Sequence, residues 1–300
     1  MKRRSFVGLA MGAVALATTV TAGAQAAPNT TSAATAACQL GLGSITNAGA
    51  QTSATVTAGK PPTIGKPTVV TGVYPFGPVR AASTFQSEPN VAGFDLSGYV
   101  VLADALYLRY YNRNAGIDQT TRIGGGWTNF TNIEYVRYEQ GKTTHTMFYG
   151  LRNDGTLFRW NAGGKSFVAA GSAPGFAAVK SMTLISKTAT YDTFLANTRG
   201  GALYTIRIPI SSPMKPIVKA VRTGTWQGFE TLVAGPCGQY GTVVLGIDKD
   251  SKSGYLYAVG HANGTATVIN SLGKVSGGTF ADPIYHRVGP VDYLDRINGD

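Results

Sequence analysis

Few side chains in this 300-residue sequence have the type and spacing that chemistry requires. Glycoside hydrolysis needs two carboxyls converging on one centre a few ångströms apart, and the chain has fifteen Asp and Glu in all. Glu134 follows Phe130 by four residues and Glu230 follows Phe229 by one, so the two stand out of register, and Asp282 lies near Phe280. An unmatched pair at different depths is a poor acid–base couple. His145, His261 and His286 have no Ser or Asp beside them in the setting of a catalytic triad. Asp248-Lys249-Asp250-Ser251-Lys252-Ser253-Gly254 opens like an alternating acidic calcium loop. Lys252 occupies its third ligand place, where repulsion should defeat Ca²⁺, so the stretch reads as a solvated turn. The residues point to a non-catalytic protein with no metal and no cofactor. Trp127 and Trp226 remain as candidates for ligand contact.

Cys38 and Cys237 are the only cysteines. The start of the chain indicates export: Lys2-Arg3-Arg4 is basic, residues 8–20 are apolar and rich in Ala and Gly, and Ala24-Gln25-Ala26 is a small-x-small cleavage site. The run is too short to span a bilayer, so residues 1–26 read as a removable signal peptide. Arg3-Arg4-Ser5-Phe6-Val7 also resembles a twin-arginine signal, an ordinary secretory signal being the other reading. In an exported protein a Cys38–Cys237 disulfide is the default, two unrelated buried thiols being the alternative. The net charge is +11, or +8 after loss of the three basic signal residues (11 − 3). Those charges are scattered, as at Arg109, Arg113, Arg137, Arg152 and Arg159, whereas nucleic-acid binding requires clustering. The expectation is a secreted protein with no membrane insertion and no nucleic-acid partner.

The elements that must position these residues repeat. Gly125-Gly126-Trp127-Thr128-Asn129-Phe130 returns as Gly224-Thr225-Trp226-Gln227-Gly228-Phe229, and more faintly as Ala173-Pro174-Gly175-Phe176. A Leu-aromatic pair follows each phenylalanine by 27 residues: Leu157-Phe158, Leu203-Tyr204 and Leu256-Tyr257. With Phe85 and Phe280 the intervals are 45, 46, 53 and 51 residues, the period of a propeller or solenoid. The second copy parses as strands 130–138, 146–151, 157–160 and 166–170, with a turn at Asn153-Asp154-Gly155-Thr156; Asp-Gly between apolar runs is a strong hairpin signal. Arg199-Gly200-Gly201 and Ser253-Gly254 are the corresponding turns expected in the third and fourth copies. No segment sustains a 3.6-residue apolar period. The fold expected is all-β: a five-bladed propeller of four-stranded blades. The fifth copy stops after strands at 285–288 and 293–297. Thr52–Thr57 and Lys66–Val73 supply its two outer strands, so both termini share the last blade. The expected layout is a signal peptide at 1–26, a flexible lead-in with Cys38 at 27–50 and one propeller domain at 51–300.

The phrase Ile123-Gly124-Gly125-Gly126-Trp127-Thr128-Asn129-Phe130-Thr131-Asn132-Ile133, followed by a Gly-x-Leu-aromatic strand, resembles the tachylectin-type repeat. The likeness is good in the second copy and fair in the fourth. The other copies lack the tryptophan, and coverage is roughly residues 80–300. The resemblance implies a five-bladed propeller that binds N-acetylated amino sugars at one shallow site per blade. A site would sit where the segment leading into a blade meets its middle turn: Trp127 and Asn129 with Asp154, and Trp226 with Gln227. An exposed indole beside short polar groups suits a sugar ring; the alternative is that both indoles plug gaps between blades. Trp160, within a strand, reads as packing. The function expected is a non-catalytic lectin for glycans or cell-envelope polysaccharide. The alternatives are a protein- or cell-surface-binding scaffold and, behind it, a secreted glycosidase.

Overall fold

The computed structural model describes residues 37–74, 78–163 and 166–300; the expected signal peptide lies outside them. Strands, turns and loops make up this region, with no helix among the described residues and so none able to cross a membrane. The N-terminal strands are β1 (Gln39–Ile45), β2 (Gln51–Thr57), β3 (Thr63–Ile64) and β4 (Thr68–Val70). Next come β5 (Val79–Ala82), β6 (Phe85–Asn90), β7 (Gly93–Leu102), β8 (Ala105–Asn112) and β9 (Ile117–Gly125). Three four-stranded antiparallel sheets follow in order. The first is β10 (Phe130–Gln140), β11 (Thr143–Arg152), β12 (Leu157–Gly163) and β13 (Ser166–Ala173). The second is β14 (Val179–Lys187), β15 (Tyr191–Thr198), β16 (Leu203–Pro209) and β17 (Ile217–Arg222). The third is β18 (Thr231–Cys237), β19 (Gly241–Asp248), β20 (Ser253–Val259) and β21 (Ile269–Lys274), after which β22 (Ile284–Pro290) ends the series.

The remaining strands form one ten-stranded sheet, ordered β3-β2-β1-β22-β6-β7-β8-β9, with β4 on β2 and β5 on β7. Its two halves meet where β22 runs parallel to β6 over Val288–Pro290 and Phe85–Ser87. No sheet closes on itself among the described strands. The innermost strands pack side by side instead: β10 lies against β5 and β14, β14 against β18, β18 against β22, and β22 against β5. This is the arrangement of a propeller around a central channel.

Apolar clusters fill the gaps between successive sheets. One holds Tyr149, Phe194, Met182 and Ile206, another Leu195, Trp226, Phe229 and Val244, and a third Leu42, Val56, Leu245 and Phe280. Tyr99, Trp127, Phe130 and Phe148 form the fourth, and Ile45, Tyr74, Phe85 and Tyr111 the fifth. One backbone clasp accompanies each cluster. The N–H of Tyr74 donates to Gly49 O at 3.1 Å, Trp127 to Asp104 O at 2.8 Å, Phe176 to Gly155 O at 2.9 Å, Trp226 to Gly201 O at 3.0 Å and Phe280 to Lys252 O at 3.0 Å. Each clasp binds the segment leading into one set of strands to the hairpin turn of the set before it. Gly155 shows why the turn is tight: its φ is +84°, and a Cβ there would lie 2.2 Å from Ala177 N.

The clasps correct the register read from the sequence. Phe176 matches Trp127 and Trp226, not Phe130 and Phe229. Three residues beyond each clasp aromatic, Phe130 N, Val179 N and Phe229 N bond back to Trp127 O, Phe176 O and Trp226 O. Other boundaries also move. The turn expected at Ser253-Gly254 is at residues 249–252, and Gly254 lies in β20, where a Cβ would sit 2.7 Å from the Phe280 ring. Residues 293–297 form a turn and tail instead of a strand, and Ile297 O accepts Lys187 N–H. The C-terminal repeat therefore gives one strand, β22, and the N-terminal segment gives β1, β2, β3 and β4. β1 falls within 27–50, expected as a flexible lead-in; Leu40, Leu42 and Ile45 are buried there. The Cys38–Cys237 disulfide is present, with Cα atoms 5.3 Å apart, and ties the start of β1 to the end of β18.

Candidate functional site

At one end of the channel the first residues of the innermost strands surround a cavity of about 170 Å³. Neighbouring innermost strands share no backbone ladder here, and polar side chains bridge them. Asn132 Oδ1 accepts Met182 N–H at 3.3 Å, Ser181 Oγ accepts Leu232 N–H at 2.9 Å and Thr183 Oγ1 accepts Ala234 N–H at 3.0 Å. Buried N–H groups need such partners. Polar residues inside otherwise apolar strands were the available sequence signal for this ring.

Glu134 makes the same kind of bridge with a charged group. The innermost strand of the ten-stranded sheet breaks between β5 and β6, which frees Thr84. Glu134 Oε1 accepts Thr84 N–H at 2.9 Å and its own neighbour Tyr135 N–H at 3.0 Å, while Oε2 accepts the Thr84 hydroxyl at 3.1 Å. These donors and the Arg287 charge favour the carboxylate, but burial outweighs them and pushes the Glu134 carboxyl up to about 7. Glu230, on the same cavity, is held below its ordinary range although burial pulls it the other way. Lys180 Nζ donates to its Oε1 at 2.6 Å and Lys249 N–H to its Oε2 at 2.8 Å. The two carboxyls keep the register offset seen in the sequence: Glu134 is four residues past Phe130, Glu230 one past Phe229. At about 3.3 Å per residue, three positions place Glu134 on the order of 10 Å deeper along the channel. One cavity thus carries a carboxyl half protonated at neutral pH and another that stays ionised.

Below Glu134 the channel is closed by ion pairs. Arg287 pairs with Asp295, its Nη1 donating to Oδ2 at 3.0 Å, and Lys187 Nζ lies 3.1 Å from Asp295 and 3.7 Å from Asp292. His286, fully buried beside the cavity, is pushed down to about 4 by desolvation and is a neutral core histidine packed on Phe85.

The expected sugar-binding residues lie elsewhere, on the rim between sheets. Trp127 is 7% exposed and packs against Phe130, Phe148 and Trp160, with ring centroids 4.5, 5.5 and 5.1 Å away. Trp226 is 5% exposed, against Phe229 and Tyr257. Both indoles occupy the gap-filling position, the alternative the sequence left open. Asn129 is exposed and its carbonyl accepts Asn153 N–H at 2.8 Å, so it does stand beside the Asp154 turn. Asp154 accepts Thr156 N–H at 2.9 Å and pairs with Arg152, which holds its carboxyl well below the ordinary range. The Gln227 carbonyl accepts Lys180 Nζ at 2.6 Å. Asp282 bonds Ser44, outside the cavity. His145 meets Asp192 at 3.1 Å, but the third member is the Tyr149 hydroxyl and no serine. Asp248 accepts Ser251 N–H at 3.0 Å and shapes its turn.

No protein-family model matches this sequence, and no curated protein matches it. Among solved structures it is similar to an α-L-arabinofuranosidase from Podospora anserina in complex with cellotriose, at 10% identity and TM-score 0.46, over 73% of this chain and 80% of that one. The catalytic domain of a GH62 α-L-arabinofuranosidase from Coprinopsis cinerea matches at 9% identity and TM-score 0.43, over 65% and 68%. The WD40 domain of SCAP from fission yeast matches at 8% and 0.36, over 84% and 75%. The non-catalytic lectin expected from the sequence is corrected here, and with it the expectation of no enzyme. Both indoles on which the lectin reading stood are buried, and Glu134 and Glu230, read from the sequence as a poor couple, line one cavity.

Proposed function

We propose that this chain is a secreted five-bladed propeller that hydrolyses glycosidic bonds at the mouth of its channel. Five clasps, five inter-sheet clusters and five innermost strands support the blade count. On this reading the ten-stranded sheet is two blades joined at β22 and β6, one of them made from β22 with β1, β2 and β4. The disulfide fits an oxidising compartment.

The observation that carries the activity is the opposite displacement of two carboxyls on one cavity, the pattern of an acid and a base assigned by their surroundings. Glu134 gives its proton to the glycosidic oxygen as the bond to the anomeric carbon breaks. Glu230 takes a proton from the water that forms the new bond. A register offset on the order of 10 Å is too wide for the close approach of a retaining pair, and the anomer released first reports whether the reaction inverts. The test is a panel of aryl glycosides and polysaccharides followed by NMR of the released sugar. Glu134→Gln should cut turnover by about 100-fold or more on poor leaving groups and much less on dinitrophenyl glycosides, which need no acid. A folded wild-type protein that turns over nothing in the panel would sink the reading.

A surface-binding scaffold is the second reading. Val69, Val168, Ile217 and Val218 on the outer strands β4, β13 and β17 are each roughly half exposed and give the rim an apolar character.

A further inference from the structure

Lys249 lies in the β19–β20 turn, half-buried on the wall of the same cavity. Its ammonium donates to Pro283 O, and no carboxylate among the described residues is within ion-pair distance. The other buried cations of the channel are matched: Lys180 by Glu230, Lys187 by Asp292 and Asp295, and Arg287 by Asp295. The Lys249 backbone N–H is tied to Glu230 Oε2 at 2.8 Å, which fixes its main chain beside that carboxylate. Desolvation pushes its ammonium down from the ordinary lysine range, and the Glu230 charge offsets this only in part. A half-buried lysine with donors to spare and no carboxylate in contact has room for an anion. Arg80 and Lys180 line the same cavity, so its cations outnumber Glu134 and Glu230 even with both ionised.

We infer that the channel mouth binds a carboxylate-bearing sugar, a uronate, whose anion pairs with Lys249. The inference rests on the hydrolase reading for the ring being a sugar, but its test does not need turnover. Calorimetric titrations would compare galacturonate and glucuronate oligomers with the neutral galactose and glucose oligomers and with sulfated sugars. They would use wild type, Lys249→Met and Lys249→Arg, each checked by thermal melting. Uronate oligomers should bind at least about tenfold tighter than their neutral parents. Lys249→Met should erase that preference, Lys249→Arg should keep most of it, and added salt should weaken it. Equal binding of neutral and uronate ligands, or a preference untouched in Lys249→Met, overturns the inference. Sulfated sugars binding as tightly as uronates also overturn it, because the site would then read charge alone. Lys249-dependent uronate binding without hydrolysis leaves the inference standing and removes the hydrolase. Hydrolysis of neutral glycosides without uronate preference does the reverse.

Discussion

Two residues show how much the surroundings decide. An indole is equally able to stack on a sugar or to fill a gap between sheets, and only its exposure separates the roles. Trp127, shut among Phe130, Phe148 and Trp160, belongs to the core. Trp127→Ala should lower stability by about 3–5 kcal/mol in denaturant melts, as loss of a large buried aromatic does; a loss below about 1 kcal/mol would contradict the packing. Glu134 and His286 set the pH dependence. The folded Glu134 carboxyl titrates at about 7, above the ordinary 4.5, so the folded chain holds the extra proton and stability falls as pH rises between those values. His286 at about 4, below the ordinary 6.5, makes the unfolded chain hold the extra proton, so stability rises over about 4 to 6.5. The two slopes oppose each other where they overlap. Glu134→Gln should therefore raise stability at pH 7 to 8 and steepen the acid-side loss due to His286. Melting curves across pH 4 to 8 for both proteins check this, and parallel profiles would refute it.

At the scale of the strand, a recurrent phenylalanine needs a recurrent partner without a side chain. A Cβ on Gly150 would lie 2.8 Å from the Phe130 ring, one on Gly246 2.7 Å from Phe229, and one on Gly98 2.4 Å from Phe85. The second strand of each of these sets opens a slot into which the ring drops. Gly150→Ala should cost about 1–3 kcal/mol by overpacking, and Phe130→Leu in the same chain should recover part of it. Strictly additive losses in a double-mutant cycle would show that the two do not share the slot. The same glycines were visible in the sequence among its 39. What marked these was the register to Phe130 and Phe229, and that register comes from pairing across strands.

For the whole molecule the decisive feature is that both termini build one sheet. β1 pairs with β22 over Leu42–Ile45 and Ile284–Arg287, and the disulfide fixes the start of β1 to β18, 199 residues away. Deleting residues 37–74 leaves β22 with a bare edge and uncovers Leu245 and Phe280. That protein should aggregate or lose its cooperative melt, as light scattering and calorimetry would report. If it melts like the full chain, the shared sheet contributes nothing to closure.

The sequence alone determined what local chemistry can state: an all-β chain, a unit of about fifty residues, the Asp154-Gly155 hairpin, the strands β2 and β4 and a disulfide between the only two cysteines. Each follows from short-range preferences such as positive φ at glycine, alternation along a strand, or the absence of any other thiol. The tertiary structure decided the rest. It matched Phe176 to Trp127, three positions from where the phenylalanines alone suggested, because the clasp N–H, not the ring type, repeats. It also made β1 an ordered strand, since the value of Leu40 and Leu42 lies in partners roughly 200 residues away. And it drew Glu134, Glu230 and Lys249 onto one cavity. Desolvation and the placement of distant donors set the charge of each, and neither quantity is written in the order of residues along the chain.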